Sequence, residues 1–419
     1  MGPGLLAAVN RFAGRAAQWA AIALGFSIPI STALDNVLLA VLLAGWLASG
    51  AWGDKWNAVR GNRVAIAALA LFGLLLIGML YGESGSGDAA QTVRKYLDLL
   101  WISILLGVFR DAVMQRRALH ALALSLALVM LVSFLIMANV VPEFRSDSVM
   151  GVGATVIKTR QTHGLLMAFG AFLFLQLALA APLPRARVLW AVLAALAIAN
   201  GTLVVPGATG YAVLATLALY LGHVWKGWRG VAAAIGAVIV AVAVLMTVPG
   251  PFQKRVALIQ TEVEKWQPGK MDLDSSVGTR LELYRVSAEL YWDRPVLGHG
   301  TGSFARAFAA RAQDPTAKPV RNPHSEYLHW MVQLGVIGLA AFLYLFWTHW
   351  RLAPHLETAL VRHLARGLVL TMAVGCLFNS WLMDHTEGLL YAWLAGLLFA
   401  GLKSPESVTR HPLPVTGSG

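Results

Sequence analysis

Residues 64–81 read VAIAALALFGLLLIGMLY, a run without a single charged side chain. As an α-helix this run is about 27 Å long, close to the roughly 30 Å of hydrocarbon in a bilayer. The whole chain has the same character, since 58% of its 419 residues are hydrophobic and only 13% are charged. A soluble domain carries about 25% charged residues. The composition excludes a soluble globular protein and predicts an all-α polytopic membrane protein.

Apolar windows of spanning length recur along the chain, and each is predicted to be a transmembrane helix. The window that holds Asp98 is short, which also allows a re-entrant segment. We therefore predict about 12 transmembrane helices, with one large, mostly helical periplasmic loop between spans 9 and 10. The windows are 14–31, 33–51, 64–81, 96–109, 118–140, 161–181, 187–204, 210–225, 230–249, 326–349, 364–382 and 387–402.

The distribution of Lys and Arg predicts the orientation, because short cytoplasmic loops retain positive charge. Seventeen of the 33 basic residues lie in the tails and loops on one side, and five lie in short loops on the other. The remaining 11 lie in the long segment 250–325. We expect both termini to be cytoplasmic and the long segment to face outward. Because the net charge of +12 is spread over loops, it does not indicate nucleic-acid binding.

These patterns divide the chain into four parts. Residues 1–249 hold spans 1–9, residues 250–325 form a periplasmic loop domain, residues 326–402 hold spans 10–12, and residues 403–419 form a cytoplasmic tail. Proline and glycine at 249–251 end the ninth helix. Within the outer segment, Gly298, Gly300 and Gly302 predict a flexible turn.

Several familiar chemistries are missing from the sequence. The single Cys376 excludes an intrachain disulfide and a cysteine metal site. There is no Walker-type phosphate loop, no His-Glu-x-x-His motif and no Rossmann glycine spacing. We predict neither a cofactor nor a metal, although Asp272 and Asp274 leave a divalent ion as a weak alternative.

The densest polar cluster, RNPHSEY at 321–327, lies where the outer segment returns to the membrane. At such a position His324 is placed to accept a proton, and Arg321 to meet an anion. The alternative is a solvated loop anchored by Tyr327 at the interface. Asp384, His385 and Glu387, in the last outer loop, could line a cavity together with this cluster, but we expect them to be solvated.

Cations near the outer ends of the spans predict a site for an anionic lipid headgroup, because arginine pairs well with phosphate. Arg280 and Arg285 lie five residues apart on one helix, so only one is expected to face inward. For either, the alternative is a surface salt bridge with Glu282 or Glu289. A second group opens the sixth span, where the alternative is a pair of interfacial anchors. It consists of Lys158, Arg160, Gln161 and His163.

Three passages together resemble the membrane family of O-antigen ligases, O-antigen polymerases and related bacterial oligosaccharyltransferases. The first is PHSEYL at 323–328, followed by QLG at 333–335 and Gly338. The second is DRPVLGHGTGSF at 293–304, which is similar to the family's Pro-x-x-Gly-x-Gly turn. The third is Arg280 with Leu283 and Tyr284 upstream of that turn. The plan of many spans and one large outer loop extends the resemblance over most of the chain.

The resemblance implies transfer of a glycan from an undecaprenyl-pyrophosphate carrier on the periplasmic face of the bacterial inner membrane. It implies His324 as the base that activates an acceptor hydroxyl and Arg280 as a cation on the pyrophosphate. Arg160 is added for its place at the mouth of the sixth span. The implied partners are undecaprenyl-pyrophosphate-linked O-antigen as donor, lipid A-core as acceptor, and membrane lipids.

One departure from the family pattern concerns the pyrophosphate site. Many members carry Ser or Thr followed by Arg at the start of the eighth span, where this chain reads Thr209-Gly210-Tyr211. The role of that arginine then falls to another cation, for which the candidates are Arg145, Lys158 and Arg160.

Members of the family differ in their acceptor. The polar tail after residue 402 favours the ligase over a protein-directed transferase, which often carries a further outer domain. A polymerase, whose acceptor is a second lipid-linked glycan, stays open. A lipid transporter is the alternative from another class, but it predicts polar residues at mid-membrane in corresponding halves of the chain.

Overall fold

A computed structural model describes residues 3–143, 155–156, 158–247, 250–269, 275–311 and 320–402. Throughout these ranges the regular secondary structure is helical. Asn200–Val204 forms a π-helical turn and Ala353–His355 a 3₁₀ turn. The α-helices are α1 Pro3–Ser27, α2 Thr32–Ala48, α3 Trp52–Arg60, α4 Arg63–Tyr81, α5 Ser86–Lys95, α6 Asp98–Val108, α7 Ala112–Met137, α8 Arg160–Ala180, α9 Pro184–Ala199, α10 Ala208–Thr247, α11 Pro251–Lys265, α12 Ser276–Asp293, α13 Phe304–Arg311, α14 Glu326–Leu352, α15 Ala359–Phe378 and α16 His385–Phe399.

The protein is an all-helical polytopic membrane protein, but it has fewer spanning helices than the sequence predicts. Every predicted window overlaps a helix, yet by length and composition seven helices of the described chain qualify as spans, or eight if α2 and α3, bent by 113°, form one. The difference arises because some apolar windows form short helices. With 11 residues in α6 and 15 in α16, these helices are only about 16 and 22 Å long. By this count the described chain has fewer spans than the 12 predicted, but the count takes α10 as one helix although α10 holds two of the predicted windows.

Two of the predicted windows, 210–225 and 230–249, lie in one segment, α10, that turns back on itself. Lys226 and Gly227 have non-helical dihedral angles, and Gly227 has a φ of 55°. On either side of this break, Gly222 and Gly230 approach so closely that a Cβ on Gly230 would lie 1.8 Å from the Gly222 carbonyl oxygen. The two halves of α10 are thus antiparallel neighbours, as two predicted spans joined by a short loop should be.

The centre of the bundle consists of α8 and α16. From Thr386 to Phe399 every residue of α16 is buried, and most of α8 is buried as well. Trp393 of α16 packs its ring against Gly25 of α1 and donates a hydrogen bond of 2.8 Å to the Ala21 carbonyl. Because the central helices are surrounded by protein, their outer ends, where Arg160 and His385 lie, are held in fixed positions.

The outer segment between α10 and α14 contributes α11, α12 and α13, and it packs onto the bundle through α14. Its small core consists of Leu283, Val286, Leu290, Phe304, Phe308 and Val332, the last of which belongs to α14. This core fixes one side of α12 against the membrane-spanning part of the protein.

The glycine-rich turn at 298–302, predicted to be flexible, is instead enclosed between α4 and α14. α14 is broken at Gly335, where φ is 62°, and the turn pairs with the opened backbone. His299 N–H donates to the Val332 carbonyl at 2.9 Å, and Thr301 N–H donates to the Gly78 carbonyl at 3.0 Å. A Cβ on Gly300 would lie 2.1 Å from the Cα of Gly82, just beyond the end of α4, so glycine here serves packing and not mobility.

Candidate functional site

His324 lies just before α14 and has the left-handed backbone conformation, with φ 51°. A non-glycine residue pays about 1 kcal/mol or more for this conformation, and such residues cluster at functional sites. The conformation is held by Asn322, whose side-chain oxygen accepts the His324 backbone N–H at 2.9 Å. The imidazole is half-buried, and its Nδ1 lies 2.9 Å from Oδ1 of Asn379.

Asn379 links the His324 ring to a carboxylate. It follows the last residue of α15, and its Nδ2 donates to Oδ2 of Asp384 at 2.8 Å and to Oε1 of Gln161 at 3.4 Å. An ionised carboxylate only accepts hydrogen bonds, so Asn379 must present its oxygen to His324. Nδ1 of a neutral His324 then carries the proton, and Nε2 is left with a lone pair that can accept one.

Tyr284 connects the His324 segment to α12. Its hydroxyl lies 3.2 Å from the His324 carbonyl oxygen and 2.9 Å from the Leu377 carbonyl oxygen. Arg280 precedes Tyr284 by one turn, and residues four apart share a helix face. Arg280 is therefore on the side of α12 that faces His324.

Arg280 is one of three arginines whose charges lie near each other. Arg160, at the start of α8, is close enough to Arg280 and to Arg255 of α11 for the three to repel electrostatically. Burial lowers the pKa of Arg280; Tyr284 and Glu262 raise it, and Arg255 lowers it further. Within the described chain, neither Arg160 nor Arg280 has a salt bridge, and Arg255 is 4.0 Å from Glu262. Partly desolvated like charges of this kind are best compensated by an anion.

The other predicted residues of the outer segment have protein partners. Arg285 donates to Oε1 of Glu282 at 2.6 Å and also to Glu289, so only Arg280 of the pair faces His324. Arg321 is exposed and hydrogen-bonded to Gln91. A substrate-binding role for Arg285 and Arg321 stays a prediction, without support from their position.

The residues predicted at the mouth of α8 separate into two places. Gln161 joins the Asn379 network, and Lys158 donates to the Thr32 hydroxyl at 3.0 Å. Burial lowers the pKa of Lys158, and nearby Asp35 and Glu387 partly offset this.

His163 is buried within the bundle, with Nε2 at 2.7 Å from Oδ1 of Asn200. Arg145 lies outside the described residues.

The last outer loop is more enclosed than its composition predicts. Asp384 is bonded to Asn379, His385 lies 3.3 Å from Asp35, and buried Glu387 accepts the Thr162 hydroxyl at 2.6 Å. The expectation of solvation is therefore wrong for Glu387, whereas Asp384 and His385 are half-buried. The reason is that α16 begins inside the bundle, so the loop before it is surrounded by the outer ends of α2 and α8.

Gly210, the position at which the family resemblance leads one to expect an arginine, lies against α8. Gly210 faces Gly164 of α8, and a Cβ added to Gly210 would lie 3.3 Å from the Gly164 carbonyl oxygen. The helices can approach this closely because neither residue has a side chain. Of Lys158 and Arg160, the two compensating candidates that the structure describes, Arg160 lies near Arg280, and Tyr211 is its neighbour on α10.

A metal site is not apparent among the residues that the structure describes, where no group of three or more His, Cys, Asp and Glu side chains is arranged to hold an ion. Asp272 and Asp274 lie outside these residues.

Two residues of the site were missed by sequence reasoning. Arg255 was counted only as one of many basic residues, although it follows the proline that starts α11. Asn379 lies near the end of the apolar window 364–382. A polar amide inside such a window was the available signal for a functional residue. Both contacts depend on how distant segments meet, which spacing along the chain does not reveal.

The described geometry defines a polytopic membrane protein with a half-buried histidine near clustered arginines at one end of its bundle. Residues 194–343, about a third of the chain, match the family model described as O-antigen ligase. The chain thus carries the O-antigen ligase domain, whose family comprises membrane transferases of O-antigen ligase and polymerase type that act on lipid-linked glycans. None of the curated proteins matches the sequence.

Proposed function

We propose that this protein is an O-antigen ligase that transfers O-antigen polysaccharide from undecaprenyl pyrophosphate to lipid A-core in lipopolysaccharide biosynthesis. The observation that carries the proposal is the connection of two functional elements by Tyr284. On one side of this residue is the His324–Asn379–Asp384 hydrogen-bond chain, and on the other are the arginines around Arg280. A base and an anion site side by side are what attack on a pyrophosphate-linked sugar requires.

In the proposed reaction, a hydroxyl oxygen of lipid A-core attacks the anomeric carbon of the O-antigen. The new glycosidic bond forms as the bond from that carbon to the pyrophosphate oxygen breaks. Its electron pair leaves with undecaprenyl pyrophosphate, and the proton of the hydroxyl passes to Nε2 of His324. Asn379 and Asp384 act as positioning residues that keep Nδ1 protonated and Nε2 free.

The arginines are assigned to the leaving group. Guanidinium groups cannot lose their charge under physiological conditions and pair with phosphate through parallel N–H donors. We assign Arg280 and Arg160 to the pyrophosphate, with Arg255 beside them. Pyrophosphate is already a good leaving group, so charge stabilisation and orientation supply most of the rate enhancement. The reaction is proposed to need no metal and to invert the anomeric centre, because a single base directs attack from the face opposite the leaving group.

The site is proposed to face the periplasm, with both termini in the cytoplasm of a bacterium and the bundle in its inner membrane. The excess of Lys and Arg in the opposite loops supports this orientation. Since Cys376 is the only cysteine, a Cys376→Ala background allows single-cysteine labelling. In intact spheroplasts an impermeant maleimide should label Arg321→Cys and spare Arg60→Cys; the reverse pattern contradicts the orientation.

The proposed function is tested by transfer with the purified protein in the presence of EDTA. The donor is undecaprenyl-pyrophosphate-linked O-antigen and the acceptor is lipid A-core. The wild-type protein should form the ligated product and His324→Ala should not. Lengthening of the linked glycan without ligation would identify a polymerase, and transfer only to a protein acceptor would identify a protein-directed transferase. If no glycan moves at all, the transferase assignment is wrong and the lipid transporter gains support.

A further inference from the structure

A cavity lies at the end of the bundle opposite His324. It has a volume of about 650 Å³ and is lined by parts of α7, α8, α9 and α16 and by the segment that leads into α15. Ala180, at the end of α8, belongs to its wall. Since α8 begins at Arg160 and rises 1.5 Å per residue, the cavity is about 30 Å from the arginine cluster. It is therefore separate from the candidate transfer site.

The wall of the cavity is mostly apolar. Leu119, Leu177, Trp190, Leu360 and Leu398 contribute to it. Beside it, the outer face of α9 exposes Val188 and Leu189, which face lipid in a membrane. A cavity of this size, with an apolar wall and a lipid-facing side, fits the upper part of an acyl chain with its glycerol ester.

Positive charge surrounds the cavity. Arg116 lines it directly. Arg187 donates to the carbonyl of Ala181 at 3.3 Å, and Arg362 donates to the carbonyl of Leu356 at 3.1 Å, so both guanidinium groups are held at residues of the wall. Within the described chain none of these three arginines has a salt bridge, so their charge is available to an anion.

Few carboxylates oppose these arginines. Glu357 lines the cavity, and Asp111 stands beside it with its side chain accepting the Val113 N–H at 2.8 Å. Three helices, α7, α9 and α15, also begin at this cavity, and their N-terminal ends add partial positive charge. The balance of charge at the rim is therefore positive.

We propose that this cavity binds the headgroup of an anionic glycerophospholipid, whose phosphate meets Arg116, Arg187 and Arg362 and whose chain follows the apolar wall. Basic pockets between transmembrane helices bind the headgroups of acidic lipids by this chemistry. The inference concerns a different end of the molecule from the transfer site and does not depend on the proposed function.

The test measures lipid binding by the full-length protein, using native mass spectrometry after exchange into micelles with phosphatidylglycerol or phosphatidylcholine. Arg116→Glu should reduce the number of retained phosphatidylglycerol molecules at least about five-fold, given roughly 1 kcal/mol for each basic residue near an acidic lipid. Ala180→Phe, which fills the cavity without changing charge, should have the same effect. The matched control is Arg60→Glu, at an exposed arginine of α3 on the same end of the bundle.

Two other kinds of binding, unspecific binding of annular lipid and binding of a soluble phosphate compound, would give different results in this experiment. Equal retention of phosphatidylglycerol and phosphatidylcholine by the wild type, or equal loss in Arg116→Glu and Arg60→Glu, would mean that only unspecific annular lipid binds, and it would overturn the proposal. Displacement of phosphatidylglycerol by millimolar inorganic phosphate would assign the site to a soluble phosphate compound and would also overturn it. Gel filtration of each variant establishes that it is folded.

Discussion

The side-chain oxygen of Asn379 lies 2.9 Å from Nδ1 of His324, although 55 residues separate the two in the chain. The amide nitrogen of the same Asn379 is bonded to Asp384. This arrangement makes the orientation of the His324 ring depend on a residue at the end of α15. We expect Asn379→Ala to lower kcat about ten-fold, which corresponds to the loss of about 1.4 kcal/mol of hydrogen bonding, with KM for the donor unchanged.

Exchanging the amide and the carboxylate between positions 379 and 384 tests whether Asn379 positions His324 or only maintains the local structure. Asn379→Asp alone puts two carboxylates next to each other, whereas Asn379→Asp combined with Asp384→Asn restores one acceptor and one donor. The double variant should regain part of the kcat that the single variant loses. Asn57→Ala, an exposed asparagine on α3, is the matched control. A rise in donor KM together with a fall in kcat, without recovery in the double variant, would refute the positioning role.

His324→Ala should lower transfer by about 10²–10⁴-fold, the usual contribution of a general base. The measurement is initial rate at saturating donor and acceptor. His355→Ala removes an exposed histidine elsewhere in the chain and should leave the rate unchanged. A rate for His324→Ala near that of the wild type would exclude His324 as the base.

Arg280→Ala should raise KM for the lipid-linked donor about 10- to 100-fold, because a charge-assisted hydrogen bond contributes roughly 1.5–3 kcal/mol. The same helix provides the control. Arg285→Ala removes an identical side chain that faces away from His324 and pairs with Glu282 and Glu289, so donor KM should hardly change. If the two variants behave alike, Arg280 does not contact the pyrophosphate.

We expect the thermal stability of the protein to depend on pH through the titration of Asp384. Burial raises the pKa of Asp384, which Lys95 and His324 only partly offset. The folded protein therefore binds the Asp384 proton more tightly than the unfolded chain does. This proton binding adds to the free energy of unfolding below the unfolded pKa of about 3.9, and the added stability is lost as pH rises through the folded pKa. Relative to the wild type, Asp384→Asn should gain thermal stability as pH rises from 4 to 7. A difference in Tm that is constant over this range would contradict the prediction.

The break in α14 at Gly335 should not tolerate a side chain without a loss of stability. The φ of Gly335 is 62°, and a Cβ would lie 2.2 Å from the Val296 carbonyl oxygen. Gly335→Ala should therefore destabilise the protein by at least about 1–3 kcal/mol. Gly73→Ala is the matched control on α4, where a Cβ meets nothing within 4 Å, and it should be neutral or slightly stabilising. Thermal unfolding in detergent compares the two variants, and equal Tm values would show that the turn at 298–302 tolerates displacement.

The sequence by itself determined the class of fold and the elements that carry the candidate site. Low charge and long apolar windows require helices in a bilayer, because backbone groups in lipid must be bonded within their own segment. The same patterns located the helical outer segment and His324 at its return to the membrane, and they predicted that one of Arg280 and Arg285 faces inward. These properties follow from local composition and helical periodicity. The choice of Arg280 rested on the family resemblance.

Only the tertiary structure decided which side chains from distant segments of the chain are in contact. The enclosed glycine turn, the burial of Glu387, and the meeting of Arg160, Arg255 and Arg280 all depend on which helix ends lie side by side. The apolar window 96–109, of which only 11 residues form α6, satisfies the same composition rule as a longer one, and glycine permits tight packing as readily as flexibility. Only packing distinguishes these outcomes, because burial and charge proximity are properties of pairs of segments and not of either segment alone.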